Sequence, residues 1–219
     1  MVQRRNEALV VAEPLSVQRR LQALGLTMEI VLNALEAGIG AAALHSTVNY
    51  PRNYGGTTFW AEVTRWLREY LVPLGWHRDE TGGQPSVVRG DNGMAIVVVR
   101  GNEQTGDPRF LPTTEYKRGP VTIERVSRNV RLPFDDEPVE TEAVEVDTSD
   151  GVPTWLLLHH RRGEELRSEL SFPIAISKSG FVEEWGETII LPTIVLDPRN
   201  MPMLDDEPVN PDVDVRRRA

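Results

Sequence analysis

Residues 94–99 read Met-Ala-Ile-Val-Val-Val, and this short apolar run decides the class of fold. Four of the six side chains are β-branched, which favours a strand over a helix. Side chains alternate between the two faces of a strand, so an unbroken apolar run is apolar on both faces. The run is followed by Arg100 and Gly101. We therefore predict a central strand that is buried on both sides.

A β-hairpin is predicted downstream of this strand. Apolar residues at 155–159 and 166–172 flank Arg161-Arg162-Gly163, which is typical of a short turn that contains glycine. In the second arm, apolar residues alternate with polar ones, which predicts one buried and one solvated face. A last strand is expected over 188–196, interrupted or placed at an edge by Pro192. Residues 121–126 and 143–146 are weaker strand predictions.

Helical spacing dominates the first third of the chain. Three helices are predicted, at about 16–24, 27–38 and 58–72. The first two are joined by Gly25-Leu26-Thr27, a turn that would also suit a DNA-binding helix-turn-helix. However, no Arg or Lys lies between Arg20 and Arg52. We therefore expect the pair to form an αα-hairpin that packs on the domain.

The predicted fold class is α+β, with the N-terminal helices packed on a mainly antiparallel β-sheet over about 86–196. Residues 1–196 are expected to form a single domain, with 76–85 as an alternative internal boundary. Residues 197–219 are rich in proline and acidic residues, which predicts an extended tail.

Composition limits the classes of function. The 219 residues include no cysteine, which excludes disulfides and thiolate metal ligands. Residues 1–78 carry a net charge of +2 and residues 79–219 a net charge of −11. An acidic β-rich surface makes nucleic acid an unlikely partner and favours a basic protein partner or self-association. Neither a membrane span nor a secretory leader is expected, which predicts a cytoplasmic protein.

The common catalytic motifs are absent from the sequence. It has no Gly-x-Ser-x-Gly elbow and neither of the common glycine-rich phosphate loops. The four histidines lack zinc-ligand spacing, and the adjacent His159 and His160 should point to opposite faces of a strand. We expect no catalytic residues, no metal and no cofactor.

One arrangement suggests an enzyme instead. Asp91 precedes the apolar strand, and Glu115-Tyr116-Lys117 follows it. This pattern resembles the PD-(D/E)xK nuclease family, although Gly90 stands where the family has proline. The resemblance implies that Asp91 and Glu115 would bind Mg²⁺ while Lys117 stabilises charge at the attacked phosphate.

Two polar loops at 45–56 and 101–119 are the main candidates for binding a partner. Long loops inside a compact domain are often functional. The leading hypothesis is therefore a non-enzymatic interaction or accessory protein of bacterial or phage origin. The predicted partner-binding residues in these loops are Tyr50, Arg52, Tyr54, Arg109, Lys117 and Arg118.

The acidic segment 135–150 supports a third hypothesis. It carries eight carboxylates and no Lys or Arg. An ordered array of this kind could mimic a phosphate backbone and occupy a DNA-binding protein as an inhibitor. Asp135, Asp136 and Glu137 would be its partner-binding residues.

Overall fold

A computed structural model describes residues 8–45, 47, 49–129 and 151–197. The helices within these residues are α1 (Pro14–Ala23), α2 (Met28–Leu44), α3 (Tyr54–Leu71) and α4 (Pro120–Ser127), with short 3-10 turns at Val72–Leu74 and Thr81–Gly83. The strands are β1 (Leu9–Val11), β2 (His77–Asp79), β3 (Ser86–Val88), β4 (Ala95–Arg100), β5 (Thr154–Arg162), β6 (Glu165–Ile176), β7 (Val182–Ile190) and β8 (Ile194–Val195). The predicted α+β class is confirmed.

All eight strands belong to one mixed sheet. Its order is β1-β7-β6-β5-β4-β3-β2, and β8 pairs with β6. Most neighbours are antiparallel, but β1 runs parallel to β7 and β4 runs parallel to β5. The predicted hairpin is formed by β5 and β6. The predicted last strand is split into β7 and β8 around Pro192, which fits the missing amide hydrogen of proline.

Helix α2 is longer than predicted, because Gly38 does not weaken it. A Cβ atom at Gly38 would lie 2.5 Å from Cγ2 of Val63 and 3.0 Å from the carbonyl oxygen of Phe59. The glycine therefore allows α2 to pack closely against α3. Both Val63 and Phe59 are fully buried, so the close approach contributes to the main core.

The predicted αα-hairpin of the first two helices is wrong. The bend between α1 and α2 is 96°, so these helices are not antiparallel, and α2 packs closely against α3 instead. The buried face of helix α2 packs against α3 and the main core, and α2 carries no Arg or Lys. It therefore lacks the cations that a DNA-recognition helix presents. Within the described residues, no single helix is both long and apolar enough to cross a bilayer, and only α1 and α2 joined across their bend reach that length.

The weak strand prediction at 121–126 is also wrong, because these residues form α4. Pro120 occupies the first turn of the helix, where proline needs no amide partner. Thr122 and Val126 are buried one turn apart, and Arg125 donates a 2.5 Å hydrogen bond to Asp79 of β2. The other weak strand prediction, at 143–146, lies outside the described residues.

The sheet is buried on both faces. Helices α1, α2 and α3 cover one face through a large apolar cluster that includes Ile96, Val98 and Leu157. The opposite face carries a second cluster with six buried members. They are Val97, Val99, Leu156, Leu158, Val182 and Trp185. The prediction for 94–99 is thus confirmed, and β4 contributes to both clusters.

An ion pair joins α1 to the sheet. The guanidinium of Arg20 donates from Nε to Oε1 of Glu187 at 2.5 Å and from Nη2 to Oε2 at 2.6 Å. The side chain of Glu187 is 1% exposed. A carboxylate at that depth requires the paired guanidinium, since an unpaired buried charge is strongly destabilising.

Replacing Arg20 by Met should therefore lower the free energy of unfolding by about 3 kcal/mol or more. The double variant Arg20→Met with Glu187→Gln should recover much of that loss, because no charge is left buried. Urea denaturation measures both values. Arg19→Met, on the exposed face of the same helix, is the matched control and should change stability little. Equal losses of unfolding free energy in Arg20→Met and Arg19→Met would contradict the role assigned to Arg20.

His159 lies in the main core and His160 does not, as strand alternation predicts. The ring of His159 packs 4.5 Å from that of Phe59, whereas Nδ1 of His160 lies 3.0 Å from the carbonyl oxygen of Gly101. Burial, reinforced by the positive charge of Arg100 and by His160, lowers the pKa of His159 to about 3. His159 is therefore neutral in the fold.

This depressed pKa makes stability depend on pH. Between pH 6.5 and 3 the unfolded chain binds a proton at His159 that the fold does not, so the free energy of unfolding falls as the pH falls. At pH 5 the loss should be about 2 kcal/mol. His159→Leu should reduce the pH dependence between pH 7 and 5, to which His160 also contributes because burial lowers its pKa too, whereas the exposed-site control His77→Gln should keep the full dependence. If the unfolding free energy of His159→Leu depended on pH as steeply as that of the wild type, the assignment of this dependence to His159 would be contradicted.

Candidate interaction surface

The connection between α2 and α3 carries three rings that form an aromatic cluster: His45, Tyr50 and Tyr54. The rings of Tyr50 and Tyr54 stack with centroids 4.4 Å apart and an interplanar angle of 5°. The His45 ring meets both of them edge-on, with each pair of centroids 5.7 Å apart. Stacked and edge-to-face contacts are favourable arrangements of aromatic rings. The cluster is therefore held in one geometry by its own members.

Local hydrogen bonds fix the backbone beneath the cluster. The amide of Tyr54 donates to the carbonyl oxygen of Pro51 at 2.9 Å, which closes a turn. The amide and the hydroxyl of Thr57 both donate to the carbonyl oxygen of Asn53. The turn leads directly into α3, so Tyr54 is its first residue. Helix α3 thereby begins four residues before the predicted start and carries one ring of the stack.

The cluster is partly exposed to solvent, and an exposed cation lies between its two tyrosines in the chain. Tyr50 is 41% exposed, and Arg52 is exposed as well. Arg52 makes no ion pair within the described parts of the chain. Exposed tyrosine and arginine side chains are enriched where proteins bind one another. Of the three residues predicted in this loop, the structure brings the rings of Tyr50 and Tyr54 into contact, and Arg52 lies between them in the chain.

The second predicted loop, 101–119, covers the sheet face that the helices leave open. Leu111 packs against the second apolar cluster. Nε1 of Trp185 donates to the carbonyl oxygen of Pro112 at 2.8 Å, and Oγ1 of Thr113 donates to the carbonyl oxygen of Val182 at 2.9 Å. These contacts attach the loop to β7. We call residues 101–119 the covering segment.

The covering segment also explains why the hairpin has no solvated face. Glu169 and Ser171, on the polar side of β6, are fully buried, so the prediction of a wet face is wrong. The amide of Gly106 donates to Oε2 of Glu169 at 2.8 Å, and the Ser171 hydroxyl donates to Oε1 at 2.7 Å. Gly106 has a φ of +75°, and a Cβ atom there would lie 2.9 Å from that of Arg167. Glycine thus allows the segment to lie directly on β6.

Little of the covering segment is left for a partner. Arg118 is 8% exposed, and its Nε donates to the carbonyl oxygen of Tyr116. Arg109 is exposed but is engaged by Asp107, with nitrogen-to-oxygen distances of 2.8 and 3.0 Å. This bond lowers the pKa of Asp107 to about 2. Lys117 is exposed on the segment, apart from the aromatic cluster in sequence.

The residues of the nuclease resemblance do not converge. Asp91 lies in the turn before β4 and accepts a hydrogen bond from Nε of Arg89 at 2.7 Å. The amide of Glu115 donates to the carbonyl oxygen of Arg100, the last residue of β4. A strand of this length spans roughly 17 Å, so the two carboxylates lie at opposite ends of it. Lys117 lies two residues after Glu115, beside Gly180 in the turn between β6 and β7. Within the described residues, no three potential ligands form a metal site.

Two further points complete the comparison with the predicted sites. Asp135, Asp136 and Glu137 lie outside the described residues. His45 belongs to the aromatic cluster but was not among the predicted binding residues, although it is the first residue of the predicted loop 45–56. Its place in one loop with two tyrosines was the one available signal.

The chain matches no family model, and neither the curated proteins nor the solved structures include a significant match to it.

Proposed function

We propose that this is a non-enzymatic interaction protein that binds a protein partner through the aromatic cluster and Arg52. The observation that carries the proposal is the exposed stack of Tyr50 on Tyr54, with centroids 4.4 Å apart. Ordering a side chain on binding costs conformational entropy. Tyrosines that are already stacked have less of that entropy to lose, so they suit a binding surface.

The charge at the cluster indicates what the partner presents there. Arg52 is the cation of the loop that carries the cluster, and helix α2, which precedes this loop, contains no Lys or Arg. A partner that places an apolar or aromatic group on Tyr50 and a carboxylate near Arg52 would match it. Charge pairs at the rim of an interface mainly change the association rate and its salt dependence.

The Tyr50→Ala variant should weaken partner binding about thirtyfold, which corresponds to the roughly 2 kcal/mol typical of an aromatic anchor. The partner is first captured by chemical crosslinking to the wild-type chain in an extract of its host and is then purified. Titration calorimetry against the wild type and the variant gives the two dissociation constants. Arg52→Ala should lower the association rate at low salt and flatten its salt dependence.

Tyr70→Ala is the matched control, because Tyr70 packs on Trp66 along α3, with centroids 5.4 Å apart, and takes no part in the aromatic cluster. It removes the same chemical group and should leave binding unchanged. Circular dichroism and thermal melting establish that all variants fold. A partner that binds Tyr50→Ala as tightly as the wild type would refute the proposal.

A further inference from the structure

One pentapeptide of the sequence occurs twice. Asp-Asp-Glu-Pro-Val stands at 135–139 and again at 205–209, and an apolar residue precedes each copy, Phe134 and Leu204. Both copies lie outside the described residues. An acidic run that only keeps a chain soluble needs no fixed order of residues, whereas a peptide that is recognised does. The repeat therefore indicates a short peptide motif that a binding site recognises.

The loop of the aromatic cluster has the chemistry to bind this motif. Residues 37–61 contain no Asp or Glu, and Arg52 is their one Arg or Lys. Arg52 is two residues from both Tyr50 and Tyr54, so its Cα lies within about 7 Å of each of theirs. Grooves lined by aromatic residues bind proline-rich peptides in other proteins. Tyr50, which is 41% exposed, can therefore take the proline while Arg52 attracts the carboxylates before it.

The described chain ends close to the helix that leads into this loop. Ala43 of α2 and residues 194–197 line the two sides of one groove. His45 of the aromatic cluster follows Ala43 by two residues, a rise of about 3 Å along the helix. Asp197 therefore lies near the C-terminal end of α2. The eight residues from Asp197 to Asp205 span up to ~27 Å, so the copy at 205–209 can reach the cluster of its own chain.

The pairing of the strands agrees with this placement. Leu166 of β6 pairs with both Ile194 of β8 and Arg161 of β5, so β8 lies at the C-terminal end of β5. At that end, the ring of His159 packs against Phe59, five residues into α3 from Tyr54. The C-terminal residues thus leave the sheet at the end where α3 begins.

The other copy of the motif follows the opposite end of the sheet. Nδ2 of Asn129 donates to the carbonyl oxygens of Thr154 and Pro173 at 2.9 and 2.7 Å. Thr154 is the first residue of β5. The copy at 135–139 therefore leaves the described fold one strand length from β8, and the copy at 205–209 is the better placed of the two.

We propose that the aromatic cluster is a docking site for an acidic, proline-containing peptide and that its occupant is residues 205–209 of the same chain. Pro208 would pack on Tyr50, and the three carboxylates before it would lie near Arg52. The segment then competes with the protein partner for one surface and so inhibits partner binding. The inference rests on the proposed function, because it concerns the same surface, and adds the chemistry of its ligand and a means of regulation.

Binding of a labelled Leu-Asp-Asp-Glu-Pro-Val peptide to the full chain, followed by fluorescence anisotropy, tests the proposal. The tail variant carries Asp205→Asn, Asp206→Asn, Glu207→Gln and Pro208→Ala, which remove the internal competitor. It should bind the peptide about tenfold more tightly than the wild type, because a tethered competitor acts at an effective concentration of order millimolar. The same four changes in the copy at 135–138 are the matched control and should leave the wild-type affinity unchanged.

Substitutions in the tail variant locate the peptide. Tyr50→Ala should weaken peptide binding tenfold or more, and Arg52→Gln should weaken it at low salt and flatten its salt dependence. Tyr70→Ala should leave the affinity unchanged, because Tyr70 packs on Trp66 instead. Equal peptide affinities of the wild type and the tail variant, or binding that survives Tyr50→Ala, would overturn the inference.

A disulfide tests the contact within one chain. The chain has no cysteine, so Asn49→Cys with Asn210→Cys should form an intramolecular disulfide upon oxidation at low micromolar concentration. Lys178→Cys with Asn210→Cys is the control, because Lys178 is equally exposed but lies in the turn between β6 and β7. Equal yields of the two disulfides would contradict docking at the cluster.

The inference and the proposed function fail in different ways. If Tyr50→Ala weakens binding of the captured protein partner but the peptide binds no variant, the inference is overturned and the proposed function stands. If peptide binding depends on Tyr50 and binding of the partner does not, the inference stands and the proposed function is refuted. When both are correct, the tail variant should bind the captured partner more tightly than the wild type does.

Discussion

The fold depends on the burial of β4 on both of its faces. Val97 and Val99 project to one side and Ile96 and Val98 to the other, and all four are at most 3% exposed. Helices can cover only the face toward which they pack, so the opposite face needs a second cover. The covering segment supplies it. Leu111 adds apolar contact, and hydrogen bonds to Glu169, Val182 and Trp185 hold the segment in place.

This requirement decides where a partner can bind. The covering segment is long and polar, which is typical of a binding loop, yet many of its polar groups are used within the fold. The α2–α3 connection has no sheet face to cover. Its rings contact each other and remain accessible, and Arg52 stays exposed. The candidate interaction surface therefore lies at the corner of the helical layer.

Some of this organisation could be predicted from the sequence. The buried strand and the hairpin were predicted, because a run of β-branched residues and an alternation of apolar and polar residues are local signals. The burial of Glu169 was not predicted, since it depends on Gly106, which is sixty-three residues away along the chain. The full length of α2 was missed for a related reason: Gly38 looks like a helix breaker until Val63 and Phe59 are seen to contact it. Tyr50 and Tyr54 were selected by loop composition, but their stacking depends on the turn that leads into α3, which the composition does not specify.

Hydrogen–deuterium exchange of the native chain tests the central claim, that the covering segment is part of the core. Amides of Asn102, Thr105, Gly106 and Glu115 all donate hydrogen bonds within this layer. If the segment covers the sheet, peptides from 101–119 should be protected nearly as strongly as those from β4, because they open only when the second face is exposed. The exposed turn at 91–93 should exchange far faster. Exchange in 101–119 as fast as in that turn would contradict the account.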